Sequence, residues 1–194
     1  MRKQTILLKD IAEIKAGHPF RGRIQPENDG AVRAVQLKDV DKDGLIVWDS
    51  LVKTEITGRK VPNWLQKGDI LFAARGFRNV AAYIDTEFKN IVCAQHFFHI
   101  RLHTNTILPE FLAWHLNQHT SQKHFAKYSQ GSAVASIPRG FLASTPLSVP
   151  DINQQQTAVS FYNACIREKQ ILQTLIKNRE LQMEGVAKQL LSKQ

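Results

Sequence analysis

From residue 31 to residue 102, short apolar runs alternate with polar turns at strand-like spacing. AVRAVQL (31–37) predicts a strand, Asp41-Lys42-Asp43-Gly44 a turn and LIVW (45–48) a second strand, while LVKTEI (51–56) and the stretch to Trp64 show no clear period. In QKGDILFAARG (66–76), Gly68-Asp69 reverses the chain, ILFAA enters a sheet, and the strand ends at Arg75 before a second glycine that permits tight backbone geometry. VAAYI (80–84) and NIVCAQHFFHIRL (90–102) predict two further strands. Upstream, LLKDIAEIKAG (7–17) predicts a helix of about two and a half turns, closed near Gly17 and turned aside by His18-Pro19. Downstream, FLAWHLNQH (111–119) changes to helical spacing behind Pro109 and Glu110. Residues 129–136 are small and polar, as in a loop. A short helical or extended segment over 138–142 then leads to the strand-like PLSVP.

After Pro150 the pattern changes. Between Asn153 and Gln194 there is no proline, and the only glycine is Gly185. Ala158, Tyr162, Cys165, Lys169, Leu172, Ile176, Arg179, Met183, Val186 and Leu190 recur at alternating spacings of four and three, an a/d seam interrupted by Lys169 and Arg179. Roughly 40 helical residues would span about 60 Å. Such a helix needs another helix against its seam, supplied by a second copy, another protein or a shorter helix of this chain. Residues 1–150 show no second long helical period, which favours an intermolecular partner. The expectation is an α/β domain with a mixed or antiparallel sheet over residues 1–150, followed by a long coiled-coil helix over 151–194.

A chain of 194 residues, 43% apolar and 22% charged, has the composition of a folded soluble protein rather than a disordered tail. Its formal net charge of +9 is unevenly placed. Residues 50–150 carry eleven basic and five acidic side chains, against nine and eight before them and six and four after them. This central excess points to an anionic partner, although charge alone does not separate DNA from RNA or a membrane surface. Cys93 and Cys165 stand singly, as reduced thiols in a cytoplasmic protein would. No apolar run approaches the roughly 18 residues of a membrane span, and the N-terminus lacks a secretory apolar region.

Seven histidines raise the possibility of a metal site. His96, His99 and His103 fall in a strand-like segment, and His115 and His119 share one helical face at i and i+4. Strand alternation sends His96 and His99 to opposite faces, however, and H-E-x-x-H is absent. Neither cysteine stands beside a base, GSAVAS lacks the nucleophile-elbow pattern, and GRKVPNWLQKGD is not a phosphate loop. A metal-dependent nucleic-acid enzyme therefore ranks behind a binding module.

Binding to an anion accounts for more residues together. ARGFRNV places Arg75 and Arg78 around Phe77, and guanidinium forks suit phosphate oxygens and guanine edges. Lys53, Arg59 and Lys60 add basic surface upstream, and Lys123, Lys127 and Arg139 add it downstream. GSAVASIPRG (131–140) is a second candidate, either a close backbone approach to DNA with Ser132 on a phosphate or a plain connector.

In this order, LKDIAEIKAGHPF, QKGDILFAARG, LPEFLAWHLNQ and GSAVASIPRGFLASTPLSVPDINQQQ ahead of a long helix, the chain resembles the specificity subunits of type I DNA restriction–modification systems. Gly68, Asp69, Ile70 and Leu71 match that family's strand entry. Gly131, Ile137 and Leu142, with Pro150 and Gln155 or Gln156, resemble the approach to its helical region, though PDINQQQ departs from the usual glutamate–glutamine pair. The resemblance implies a half-sized, non-catalytic subunit with one target-recognition domain that reads double-stranded DNA. It implies a homodimer on two identical half-sites, joined through Tyr162, Cys165, Leu172, Ile176, Met183, Val186 and Leu190. It also implies a DNA methyltransferase partner that carries S-adenosylmethionine, and a motor nuclease in the larger complex. An adaptor of the same fold without useful DNA binding is the rival reading.

Overall fold

The computed structural model describes residues 4–56, 60–75, 79–129 and 136–191. In chain order its strands are β1 (Gln4–Leu7), β2 (Ala12–Ala16), β3 (Val32–Val35), β4 (Val52–Thr54), β5 (Ile70–Ala73), β6 (Ala81–Tyr83), β7 (Ile91–Cys93), β8 (Phe97–Leu102) and β9 (Pro146–Val149). They form three sheets where the sequence predicted one. The first is the antiparallel order β2-β8-β5-β6, the second the order β4-β3-β7 with its β3–β7 pair parallel, and the third the ribbon β1-β9. The fold is thus α/β with mixed and antiparallel sheets, as the patterning indicated.

The central strand β5 is buried at every position, as its unbroken run ILFA requires. Leu71 and Ala73 share one apolar cluster with Phe97 of the adjoining β8 and with Val35 and Ile91 of the second sheet. On the other side Phe72 meets Phe125, ring centroids 4.9 Å apart.

Residues 7–17 are not a helix. Only Leu8–Asp10 makes a 3-10 turn, and Ala12–Ala16 is extended, with Ala12 and Ile14 buried and Glu13 exposed. Two-residue alternation wins because Ile14 lies in register with Ile100 of β8. LIVW is likewise not a strand: Ile46 makes an isolated bridge to Val40, and Trp48–Ser50 is a 3-10 turn. The segment 90–102 holds two strands, split by a turn that Phe97 N–H closes onto the Ala94 carbonyl at 3.0 Å.

One turn device recurs three times. Leu7, Gln36 and Gln66 each donate their N–H to the carboxylate three residues on, that of Asp10, Asp39 and Asp69 respectively, at 3.2, 2.9 and 2.7 Å. A short aspartate side chain accepts this orphan donor and sets the chain's direction after the turn.

Helix α1 (Pro109–Asn117) begins with proline, whose missing N–H costs nothing in a first turn. A second helix, α2 (His119–Ser129), was not legible in the sequence, because Gln118 adopts extended geometry and breaks the period. Asn117 donates to and accepts from the backbone of Ala81, both at 2.8 Å, and so occupies the free edge of β6. A short α3 (Arg139–Ala143) precedes β9. The last element, α4, runs continuously from Ile152 to Leu191.

The chain divides into compact units of residues 1–156 and 157–194. In the second unit Leu172, Ile176, Met183, Val186 and Leu190 are all exposed. Among the described residues no helix is long and apolar enough to cross a membrane.

Candidate nucleic-acid interface

The two ends of the QKGDILFAARG segment have different roles. Gly68, at φ 96°, takes the left-handed geometry that lets Asp69 turn inward. Asp69 is almost fully buried and receives a two-pronged bond from Arg101 of β8, Nε to Oδ1 and Nη2 to Oδ2, both 2.7 Å. His99 Nε2 lies 2.8 Å from Oδ2, near enough to pair electrostatically, though its N–H is off the line of a full hydrogen bond. Burial alone would raise the Asp69 carboxyl. Arg101 and His99 overcome that and hold it at about 2. Arg101 also donates to the Trp64 carbonyl at 3.0 Å, so this charge cluster pins the turn to the neighbouring strand.

Toward the other end of the segment, Arg75 is exposed. Arg75 makes an antiparallel bridge to Ser136 and donates Nε to its Oγ at 3.2 Å, while Ile137 N–H bonds the Ala74 carbonyl at 2.9 Å. The two candidate segments around Arg75 and Ser136, 61 residues apart in sequence, therefore meet. Helix α2 leads into the same stretch with Lys123 and Lys127 exposed, and α3 starts from it with Arg139 exposed. Phe141 binds these two helices together, stacked on His124 at 4.5 Å and tilted against Tyr128 at 5.0 Å. Arg75, Lys123, Lys127 and Arg139 thus belong to one connected group of elements. Its basic and hydroxyl groups suit a sugar–phosphate backbone.

Lys53 and Lys60 come from other stretches of the chain. Lys53 is an exposed residue of β4, and Lys60 acts electrostatically on His18. Arg59, Arg78 and Ser132 lie outside the described residues.

The histidines are not gathered into one site. His115 and His119 do not share a helical face, because α1 ends at Asn117 and His119 opens α2. His115 Nε2 accepts the Ser148 N–H at 3.3 Å, which leaves Nδ1 as the donor toward Ser121 Oγ at 3.1 Å. Burial pushes this imidazole below its ordinary value, in keeping with a neutral ring. Among the described residues no three His, Cys, Asp or Glu side chains are grouped to hold a metal ion. Cys93 is enclosed, and burial raises its thiol to about 12.

Two amides carry more structure than the sequence revealed. Gln155, in the first turn of α4, is fully buried: it accepts the Leu108 N–H at 2.8 Å and donates to the Thr106 and Pro150 carbonyls, both at 2.9 Å. It stands in the PDINQQQ stretch, and it saturates three backbone groups with one side chain. Asn117 does similar work on β6. No local pattern marks either, since their partners are remote backbone atoms.

The family model for the type I restriction modification DNA specificity domain matches residues 2–179. No curated protein matches the chain. Among solved structures, the S subunit of the type I restriction–modification system from M. genitalium superposes with a TM-score of 0.60 at 16% identity, covering 95% of this chain and 45% of that one. An HsdS subunit from Thermoanaerobacter tengcongensis gives 0.66 at 18%, covering 97% and 48%. A chain from a structure describing complex assembly and conformational transition of the type I R-M system gives 0.69 at 14%, covering 98% and 45%. These likenesses establish the fold, and this chain spans just under half the length of each.

Proposed function

The chain belongs to the family of type I restriction modification DNA specificity domains, and on that premise we propose that it reads double-stranded DNA as the non-catalytic specificity component of a type I restriction–modification complex. Residues 1–150 act as the target-recognition domain and residues 151–194 as a helical spacer and dimerisation region. The Arg75–Ser136 bridge is the observation that carries the DNA-facing surface, since it sets the strand end beside the segment that opens α3, which Phe141 ties to α2. Lysines and arginines there hold phosphates by counterion release, and a smaller set of side chains discriminates base edges.

The exposed seam of α4 supports pairing with a second copy. Leu172, Ile176, Met183, Val186 and Leu190 are each about half exposed or more, at 51, 58, 67, 47 and 73%, and a coiled-coil partner would cover them. Two copies would present two identical recognition domains, separated by a length the helices set. Methylation, with its S-adenosylmethionine, belongs to a DNA methyltransferase partner, and cleavage belongs to a motor subunit.

A selection from random duplex DNA, with the methyltransferase partner and competitor RNA present, tests the reading. Enrichment of two identical elements at fixed spacing is the expected result. A confirmed assembled complex that enriches nothing would leave the fold as an adaptor and defeat the proposal.

A further inference from the structure

We infer that Arg33 and Lys53 form a second phosphate clamp for duplex DNA, on the three-stranded sheet rather than on the elements that carry the Arg75 group. The inference rests on the DNA-recognition reading and adds a residue, Arg33, that composition did not single out.

The geometry follows from backbone bonds. Arg33 of β3 lies directly opposite Lys53 of β4. Arg33 donates its N–H to the Asn90 carbonyl at 2.9 Å, away from β4. The Lys53 carbonyl accepts from Glu27 N–H at 2.9 Å, away from β3. The two residues therefore form a non-hydrogen-bonded pair. In such a pair the Cα atoms are about 4.5 Å apart and the side chains rise together from one face.

Like charges facing each other at that position destabilise a sheet. No ion pair among the described residues offsets them. Among the described residues, neither Arg33 nor Lys53 has a carboxylate within ion-pair distance. Glu55, just past the end of β4, accepts the Ala31 N–H at 2.7 Å and makes no ion pair with either cation.

Arg33 is also held in place. Its guanidinium carbon lies 5.7 Å from the Phe88 ring centroid, and Phe88 leans on Trp48 at 4.8 Å. A cation fixed over an aromatic ring beside an exposed lysine has lost its freedom before any ligand arrives, so an anion between the two meets prepaid order. Ordinary surface arginines lack such support. A backbone phosphate fits because it offers oxygens to both cations at once, the guanidinium fork taking two and the ammonium a third.

The clamp makes stability and binding move in opposite directions. Lys53→Glu turns the facing repulsion into an attraction, so its melting temperature at low salt should rise above that of the parent. Its affinity for a labelled random-sequence duplex should fall roughly tenfold or more, with the salt slope shrinking by about one to two. Arg33→Gln should also lose affinity and slope, without the stabilisation, since it gives up the Phe88 contact. If the parent binds duplex and both variants bind it equally well, the clamp is wrong and the DNA reading survives. If Lys53→Glu lowers the melting temperature, the facing pair is not repulsive and the clamp is wrong on structural grounds. If the parent binds no duplex, alone or with its methyltransferase, or binds only the competitor RNA, both readings fail together.

Discussion

Asp69 shows how one residue can be half legible. Its place after Gly68 marks a turn in the sequence, but Arg101 and His99, 32 and 30 residues on, come from a strand that only the sheet brings alongside. The depressed carboxyl ties stability to acid. Its folded value of about 2 lies below the ordinary 3.8, so the contribution is complete above about pH 5 and is lost as pH falls through 4 toward 2. Urea unfolding across that range should show about 2 kcal/mol leaving with protonation. Asp69→Asn should remove that acid-sensitive part and cost about 2–3 kcal/mol at neutral pH, by stranding Arg101. Gln155→Leu is a sharper test of a buried amide. It orphans the Leu108 N–H and two carbonyls, and an expected loss of about 3 kcal/mol by chemical denaturation measures it.

At the level of elements, thiol chemistry separates core from seam. Cys93 in β7 is enclosed with its thiol raised, whereas Cys165 on α4 is exposed. A maleimide should label Cys165 alone in the native protein, and Cys93 only after unfolding. If α4 pairs through its a/d seam, labelling of Cys165 slows as protein concentration rises; a rate independent of concentration argues against pairing there. On the same pairing, replacing Leu172 and Ile176 together by serine should shift sedimentation from dimer to monomer while the strand signal in circular dichroism is kept. The helix was plain in the sequence because i→i+4 bonds and a four-three apolar period are both local. Helix α2 was hidden by a single extended residue, Gln118, and residues 12–16 looked helical because a short AEIKA run satisfies both periods.

For the whole molecule, the distribution of charge is the testable property. If Lys123, Lys127 and Arg139 each meet a phosphate, changing all three to glutamine should reduce the salt slope of duplex binding by about three. The fold should be unchanged, since all three side chains are exposed. An unchanged slope would move the DNA to another face.

The order of motifs, the central basic excess and the long helix were fixed by the amino-acid sequence alone, and they were enough to indicate the family. Each depends on composition or on neighbours within a few residues, where local propensity and spacing govern. Three things waited for the tertiary structure: the extended choice at 12–16, the division of 90–102 between two sheets, and the meetings of Arg75 with Ser136 and Arg33 with Lys53. These depend on which remote strand lies alongside. Sheet hydrogen bonds reach across the chain, so a strand's partner, and with it the side chains that share a face, is decided by the packing of the whole core.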